Sequence, residues 1–309
     1  MITAKILAYS IAPNGQKIVS WELEYPRFIH GEFMTHRLFS RNAASSRAIP
    51  VSAMIQAVLD NPAMPIHWGK NQSGMQAKEE LGTFRKKAAK KMWKLAAKAA
   101  CKLAAAMNKI GLHKQASNRI LEPFQTMKTV MTATCMDNFF WLRNHEDAQP
   151  EIKELARLMW EALNSEDPVT LQPGDWHVPY FGEGYWLKGC GISLEDALAI
   201  SSSCCAQVSY RRLDDTLEKA QMIFKRLVES EPVHASPFEH QATPMKYSTS
   251  RESIVAHLSG KEDKAADGKA WELGATHADR NDQLWSGNFI GWIQHRQLIP
   301  NNVCTEYKG

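Results

Sequence analysis

The N-terminal part of the chain shows the alternation of apolar and polar side chains that is typical of β-strands. Between residues 17 and 25 the apolar set is Val19, Trp21, Leu23 and Tyr25, with polar residues at most positions between them. This period of two predicts a strand with one face on a core. Pro26 interrupts the pattern and Phe28-Ile29 resume it, so we expect strand over 17–34, and a further strand at 4–10.

Farther along the chain, apolar residues recur every three or four positions, which predicts helices. The longest helix, 78–110, carries ten Lys and Arg against two Glu. Its favoured interpretation is packing on a core through the apolar stripe, with the lysines in solvent. That stripe comprises Phe84, Ala88, Met92, Ala96, Ala99, Leu103, Met107 and Ile110. Further helices are expected at 51–60, 114–120, 150–163, 214–230 and from 194 towards 210.

The segments between these elements are richer in Gly, Pro and polar residues, which favour loops. Residues 36–50 are interpreted as a loop or short helix after the strand. Loops are expected at 61–76 and 166–192, and an exposed polar insertion at about 260–284. The remaining predictions are helical or mixed structure at 125–142, strand-like and irregular structure after 240, and a strand or short helix at 288–296.

Composition narrows the class of protein. The chain has 309 residues, of which 44% are apolar and 23% charged, as in ordinary globular proteins. No apolar run is long enough for a membrane span, and the first residues are too polar for a secretory signal, so a cytoplasmic protein is expected. The net charge of +4 fits a few anion pockets rather than a surface that binds nucleic acid throughout.

The cysteines and histidines give no sign of a disulfide framework or a metal site. The six cysteines form no CxxC pair, and without a secretory signal free thiols are expected. The eleven histidines show no spacing typical of metal ligands. Cys204-Cys205 could supply a nucleophile only beside a base, and the sequence offers none nearby except, distantly, His234.

One stretch carries most of the candidate chemistry. Residues 35–47 read THRLFSRNAASSR and hold three arginines, three serines and an asparagine. Arginine presents a fixed fork of donors that suits phosphate, and serine hydroxyls can complete the shell around such a group. The stretch is therefore interpreted as an anion-binding loop, with a solvated basic loop as the alternative.

The same stretch resembles the signature R-H-R-x-x-S-x-N-E-x-S-x-R of the flavin-dependent thymidylate synthases, the ThyX family. The matching residues are His36, Arg37, Ser40, Asn42, Ser45 and Arg47, with no gap. Two positions depart from the signature: Thr35 replaces its first Arg, and Ala43 replaces its Glu. The Glu position lies by the nucleotide in the family, so these departures bear on the substrate.

Two further blocks resemble the family. Residues 233–240, VHASPFEH, are similar to its H-x-[ST]-P-F-E-H segment. The resemblance implies that His234 lies by folate and flavin and that Ser236 contacts the flavin phosphates. Residues 119–123 and 138–152 resemble its C-terminal helices, which implies that Arg119 and Arg143 hold the nucleotide and that Asn138 contacts the flavin.

The order of the blocks is unusual. Residues 206–210, AQVSY, resemble a run that opens ordinary members, where it is followed by the H-x-[ST]-P-F-E-H segment, the signature and then the helices. Here the signature and helices come first. The chain is therefore identified as a circularly permuted, divergent member, a rearrangement that a fold tolerates when its termini lie close together.

The resemblance implies an α+β fold, a mixed sheet with packed helices, in a single domain over 1–309 with a helical insertion at about 78–110. It implies methylation of dUMP to dTMP with methylenetetrahydrofolate, FAD and NADPH, in a homotetramer. Ser45, Arg47, Arg119, Arg143 and Glu32, which stands where the family usually has Gln, are the implied dUMP residues. His36, Arg37, Asn138, His234 and Ser236 are the implied FAD and folate residues, and no catalytic nucleophile is expected.

Three alternatives stay open. A relative could make another C5-modified pyrimidine, such as 5-hydroxymethyl-dUMP, or act on dCMP; Thr35, Ala43 and Glu32 motivate this reading. The basic helix 78–110 could instead bind nucleic acid. The fold could also have been kept as a nucleotide-binding protein without catalysis.

Overall fold

The structure is a computed structural model that describes residues 2–209, 213–261 and 270–307. It is an α+β fold, as expected. Its helices are α1 His30–Phe33, α2 Val51–Asp60, α3 Thr83–Lys109, α4 Lys114–Ser117, α5 Asp137–Arg143, α6 Pro150–Ser165, α7 Leu194–Ala206, α8 Leu217–Val228 and α9 Ser250–Leu258. Its strands are β1 Thr3–Ile11, β2 Lys17–Pro26, β3 Ser40–Ala43, β4 Thr126–Ala133, β5 Val169–Thr170, β6 Trp176–His177, β7 Tyr185–Trp186, β8 Ala242–Pro244, β9 His277–Ala278, β10 Leu284–Ser286, β11 Phe289–Ile290 and β12 Trp292–Gln294.

The main sheet has five strands in the order β3-β4-β2-β1-β5. All neighbours are antiparallel except β1 and β5, which run parallel, so the sheet is mixed. A four-stranded sheet, β12-β8-β6-β7, and a three-stranded sheet, β11-β10-β9, are formed by the later part of the chain.

The central strand β2 separates two different interiors. Its predicted apolar face, with Trp21, Leu23 and Tyr25 fully buried, packs with Phe139 of α5 and Leu155 of α6 in the largest core cluster. The opposite face carries a buried hydrogen-bonded chain. The imidazole of His177 contacts the hydroxyls of Ser10 and Ser20, Ser20 contacts Thr132, and Thr132 contacts His240. The alternation in the sequence is thus confirmed, although one of the two faces is a buried polar layer.

The sequence of helix α6 explains both where the helix begins and which face it buries. Pro150 stands in the first turn, where its missing N–H costs nothing, and the Gln149 side chain accepts from the N–H groups of Glu151 and Ile152. The apolar residues Ile152, Leu155 and Met159 are all fully buried. The predicted helix over 150–163 is confirmed.

Helix α3 is present where predicted, but the expectation about its packing was wrong. Phe84, Met92, Leu103 and Ile110, in the stripe expected to face the core, have exposed fractions of 85%, 69%, 58% and 83%. Contact with α2 and the segment around Leu121 is made by the small residues Ala97, Cys101 and Ala104. The lysines occupy a further side, so the helix has a buried face, a basic face and an exposed apolar face.

Other differences are local. Residues 27–33 are a 3₁₀ turn followed by α1, so the predicted strand ends at Pro26. Part of the predicted loop 36–50 is β3, and α9 is a helix where irregular structure was expected. Tyr210 and residues 262–269 lie outside the described part of the chain. Within that part, no helix combines the length and apolar character needed to cross a membrane.

Candidate functional site

A cavity of about 1440 Å³ lies between the segment 65–78 and the α5–α6 region. Phe28 and Trp93 contribute aromatic surface to its wall, while Glu32 and Arg143 contribute charge. This volume exceeds the roughly 300–1,000 Å³ of common ligand pockets. The cavity therefore has room for a nucleotide together with part of a second ring system.

Arg143 is placed at the cavity by the core. Helix α5 buries Phe139 and Phe140 and ends at Arg143, so the guanidinium leaves the helix beside the signature segment. Its Nη1 donates to the carboxylate of Glu32, and its Nε donates to Nε2 of His36 at 3.0 Å. Three residues that sequence reasoning assigned to the site thus come together.

His36 sits against aromatic rings that fix its orientation. Its ring is perpendicular to that of Phe139, with the ring centres 4.9 Å apart, and lies 5.7 Å from Phe39. Burial, and then the positive charges of Arg143 and Arg41, lower the pKa of His36 to about 4. The imidazole is therefore neutral near pH 7, and since Nε2 accepts a hydrogen bond, Nδ1 carries the proton.

A second group, which includes the expected site residue Arg119, surrounds Glu122. The Glu122 carboxylate accepts from Ser46 Oγ and Arg119 Nη1, both at 3.0 Å, and pairs with Arg27 at 3.1 Å. The amide of Asn118 fixes the same loop by donating to the carbonyl of Ser46. Arg119 therefore lies beside the loop of Ser45 and Arg47, through a carboxylate that sequence analysis did not single out.

Ser45 and Arg47 flank Ser46 in the loop that contacts Glu122. Arg47 is exposed at the tip of the loop, and its backbone N–H donates to Ser45 Oγ at 3.3 Å. Serine at this position thus shapes the turn that carries the arginine. The loop that carries both residues is joined to Arg119 through the Glu122 carboxylate.

A third group joins the signature to the distant segment Ser236–Glu239, here called the SPFE segment. With its nitrogen as the donor, the Asn42 amide reaches Ser236 Oγ at 3.2 Å and the Arg41 carbonyl at 3.0 Å. The Gln294 amide donates both to Ser40 Oγ at 3.2 Å and to the Glu239 carbonyl at 3.4 Å. Two motifs that are far apart in the sequence therefore meet in one surface.

The remaining assigned residues are more exposed. Arg37, Asn138, His234 and Ser236 all have exposed side chains, and the backbone N–H of His234 donates to the carbonyl of Leu227 at the end of α8. Of the ten residues assigned from the sequence, only Glu32 and Arg143 belong to the cavity wall. The wall does not include His36, Arg37, Ser45, Arg47, Arg119, Asn138, His234 or Ser236.

Arg41 is a residue to which sequence reasoning gave no role of its own. Its Nη1 donates to the carbonyl of Phe33 at 2.9 Å, and its guanidinium lies 5.9 Å from the centre of the Phe33 ring. Burial lowers the pKa of Arg41, which Tyr25 and Glu239 partly oppose. Arg41 therefore lies between α1, which carries Glu32, and Glu239 of the SPFE segment. In the sequence, the only sign of such a role was the number of arginines in the signature.

The buried cysteines do not offer a nucleophile. Burial raises the pKa of Cys204 to about 12 and raises that of Cys205 well above its ordinary value. Both thiols therefore stay protonated near neutral pH, where a thiolate would be needed. All six cysteines are free, and among the described residues no group of His, Cys, Asp or Glu is arranged to hold a metal ion.

The comparison with protein families agrees with the motifs. Residues 16–169 match the family model described as thymidylate synthase complementing protein. Two similar solved structures are of the UMP/dUMP methylase PolB from Streptomyces cacaoi, one bound with 5-Br dUMP and one with 5-Br UMP. They are 15% and 16% identical, each with a TM-score of 0.46, and the matches cover 53% of this chain and 90% and 89% of those chains.

No curated protein sequence matches the chain significantly. The family match spans the signature, Arg119 and the α5–α6 region, which are the segments whose residues meet around the cavity and Glu122. The chain belongs to the thymidylate synthase complementing protein family, the ThyX family.

Proposed function

We propose that the protein is a flavin-dependent thymidylate synthase. In the proposed reaction, dUMP, methylenetetrahydrofolate, NADPH and a proton give dTMP, tetrahydrofolate and NADP⁺. The observation that carries this proposal is the hydrogen bond between Arg143, which lies in the wall of a large cavity, and the signature residue His36. A cationic donor beside aromatic surface suits a nucleotide, which combines a flat ring with a phosphate.

The residues present fit a flavin nucleotide in their chemistry. Arg37 offers an exposed guanidinium, Ser236 a hydroxyl and Asn138 an amide, the donor types that hold pyrophosphate and ring oxygens. FAD, when bound, would supply the hydride that completes the methyl group. The proposed holding residues are Arg37, Asn138, Ser236 and, on the folate side, His234.

The chain's own residues would bind and orient rather than attack. Arg47 and Ser45, with Arg119 beside them, would neutralise the dUMP phosphate, and Arg143 would donate to an oxygen of the nucleotide in the cavity. The low pKa of His36 keeps it neutral, so it adds no further positive charge to this region. In this proposal the side chains bind and orient the substrate, and the cofactor would supply the hydride.

We further propose that the whole chain acts as one functional unit within a homotetramer. The phosphate-binding group around Glu122 is not part of the cavity wall, so a second copy could present its loop to the cavity of the first. The exposed apolar side chains of α3 offer a surface for such an association. Sedimentation velocity would test the assembly, and a monomer at micromolar concentration would contradict it.

The colour of the purified protein tests the proposal directly. A yellow preparation whose flavin absorbance bleaches with NADPH, and recovers when dUMP and methylenetetrahydrofolate are added, is expected. Stoichiometric dTMP should form at the same time. A colourless protein that binds neither FAD nor dUMP would contradict the proposal.

Two alternatives have an observation in their favour. Glu32 and the departures at Thr35 and Ala43 favour a related enzyme that makes another C5-modified pyrimidine or acts on dCMP. Analysis of the reaction product would distinguish this enzyme from a thymidylate synthase.

The second alternative is nucleic-acid binding, which is favoured by the nine Lys and Arg of helix α3 and its lack of acidic residues. A steeply salt-dependent affinity for DNA without bound flavin would support that reading.

A further inference from the structure

Two of the three nitrogens of the Arg143 guanidinium donate hydrogen bonds to other side chains of the protein. Nε is bonded to His36 and Nη1 to Glu32, and the side chains of Arg143 and Glu32 are 21% and 30% exposed. In the part of the chain that the structure describes, Nη2 has no protein partner. A planar guanidinium held at two nitrogens has a fixed plane, so the remaining N–H groups point in a fixed direction.

The two partners are themselves held in place. His36 lies against Phe139, whose side chain is 2% exposed, and the backbone N–H of His36 donates to the carbonyl of Phe33 at 3.4 Å. Glu32 belongs to α1, directly before the fully buried Phe33. Both partners are therefore anchored to the main core, which makes them suitable supports for a ligand-binding arginine.

The neutral state of His36 matters for this arrangement. A protonated imidazole could not accept from Arg143, and its charge would repel the guanidinium. Burial and the neighbouring arginines keep the pKa of His36 low, at about 4. The acceptor is thus available throughout the neutral range.

We propose that Glu32 and His36 are positioning residues, which hold the Arg143 guanidinium so that Nη2 serves an oxygen of the nucleotide. This inference rests on the proposed function, but it assigns roles different from those implied by the resemblance. Glu32 acts through Arg143 instead of contacting the substrate, and His36 orients Arg143 instead of holding FAD. Glu32 also offsets the charge of Arg143, which weakens its attraction for an anion.

Removing the charge of Glu32 should have a different effect on ligand binding from removing a direct contact between Glu32 and the substrate. Glu32→Gln keeps an acceptor for Nη1 but removes the negative charge. Because the lost carboxylate no longer repels the phosphate, we expect this variant to bind dUMP about tenfold more tightly, while its affinity for deoxyuridine, which lacks the phosphate, stays unchanged. Weaker binding of both ligands would overturn the proposal, because that result is expected when Glu32 itself touches the base.

The positioning role of His36 is tested by a pair of variants. His36→Phe keeps the ring packing but removes the acceptor, whereas His36→Gln restores an acceptor near the position of Nε2. We expect His36→Phe to weaken dUMP binding about tenfold and His36→Gln to recover most of it, with FAD content equal in both. In an Arg143→Ala background the His36→Phe change should have no further effect on dUMP affinity. Additive losses, or loss of FAD with intact dUMP binding, would overturn the proposal.

A measurement on the unmodified protein separates this inference from the proposed function. Nitrogen NMR of His36 at pH 7 should show a neutral ring with the proton on Nδ1, whether or not dUMP binds. A proton on Nε2, or a charged ring, would overturn the positioning role alone. Failure of the wild-type protein to bind dUMP, with the expected NMR signature present, would count against the proposed function instead.

Discussion

The amide of Asn42 donates to the hydroxyl of Ser236 at 3.2 Å, although the two residues belong to opposite parts of the chain. Asn42 lies on the edge strand β3 and Ser236 begins the 3₁₀ segment Ser236–Glu239. The contact means that the serine-arginine stretch and the SPFE segment form one surface within a single chain. The order of the blocks in the sequence does not keep their residues apart in space.

Replacing Arg47 with alanine should weaken nucleotide binding. A charge-assisted hydrogen bond to phosphate contributes about 1.5–3 kcal/mol, so dUMP affinity should fall by roughly 10- to 150-fold. Calorimetric titration with dUMP measures this. Arg226→Ala, an exposed arginine of α8, is the matched control and should leave affinity unchanged. Equal affinities for the Arg47 variant and wild type would contradict the assignment.

Helix α5 offers a paired test of the core beneath the site. Phe139 is 2% exposed, and its ring contacts Phe33, Phe39 and His36. Phe139→Ala should reduce the free energy of unfolding by about 3–5 kcal/mol. On the same helix Trp141 is 75% exposed, so Trp141→Ala should change the stability of the isolated chain by less than about 0.5 kcal/mol. Denaturant titration compares the two, and similar losses would argue against the described packing.

Neighbouring alanines of α3 distinguish its buried face from its exposed one. Ala97 is 3% exposed in the cluster with Cys101 and Ala104, whereas Ala96 is exposed. Ala97→Leu should overpack this cluster and cost about 1–3 kcal/mol, while Ala96→Leu should be close to neutral for the isolated chain. Thermal unfolding of both variants is the measurement. A larger loss for Ala96→Leu would mean that the opposite face of the helix is packed.

The buried histidines should make the protein sensitive to mild acid. Burial lowers the pKa of both His177 and His240 from 6.5 to about 3, so both rings are neutral in the folded protein near pH 7. The unfolded chain takes up protons near pH 6.5, and the folded one does so only near pH 3. The contribution of these two histidines to the free energy of unfolding is therefore fully present above about pH 6.5, and it is lost as the pH drops towards 3. Denaturant midpoints at pH 7.5, 6.5 and 5.5 should decline before most carboxylates titrate, and a flat profile would contradict this.

The main elements could be predicted because their signals are local. The alternation at Trp21 and Leu23 defines β2, and the spacing of Ile152, Leu155 and Met159 defines α6. The strand β3 was missed because Ser40–Ala43 has no apolar alternation. It is held by its register with β4, where Ser40 faces Thr132, and a contact of that kind is not visible in a single segment.

The packing of α3 could not be read from its sequence for a related reason. Large apolar residues such as Leu103 suggest a core face, but Ala97 and Ala104 allow the closer approach of α2.

The contacts within the site could not be predicted from the sequence either. Two separate motifs identified His36 and Arg143, yet their mutual contact, and the contact of Glu122 with Arg119, depend on how distant segments fold together.

The polar chain from Ser10 through His177, Ser20 and Thr132 to His240 has a consequence for biosynthesis. The ribosome delivers β1, β2 and β4 well before the two imidazoles that satisfy their hydroxyls. Until His177 and His240 have emerged, the second face of the main sheet lacks its cover, and burying its hydroxyls would be costly. In a nascent chain that stops short of residue 240, these hydroxyls should therefore stay in contact with water, and the buried layer should form only after His240 has emerged.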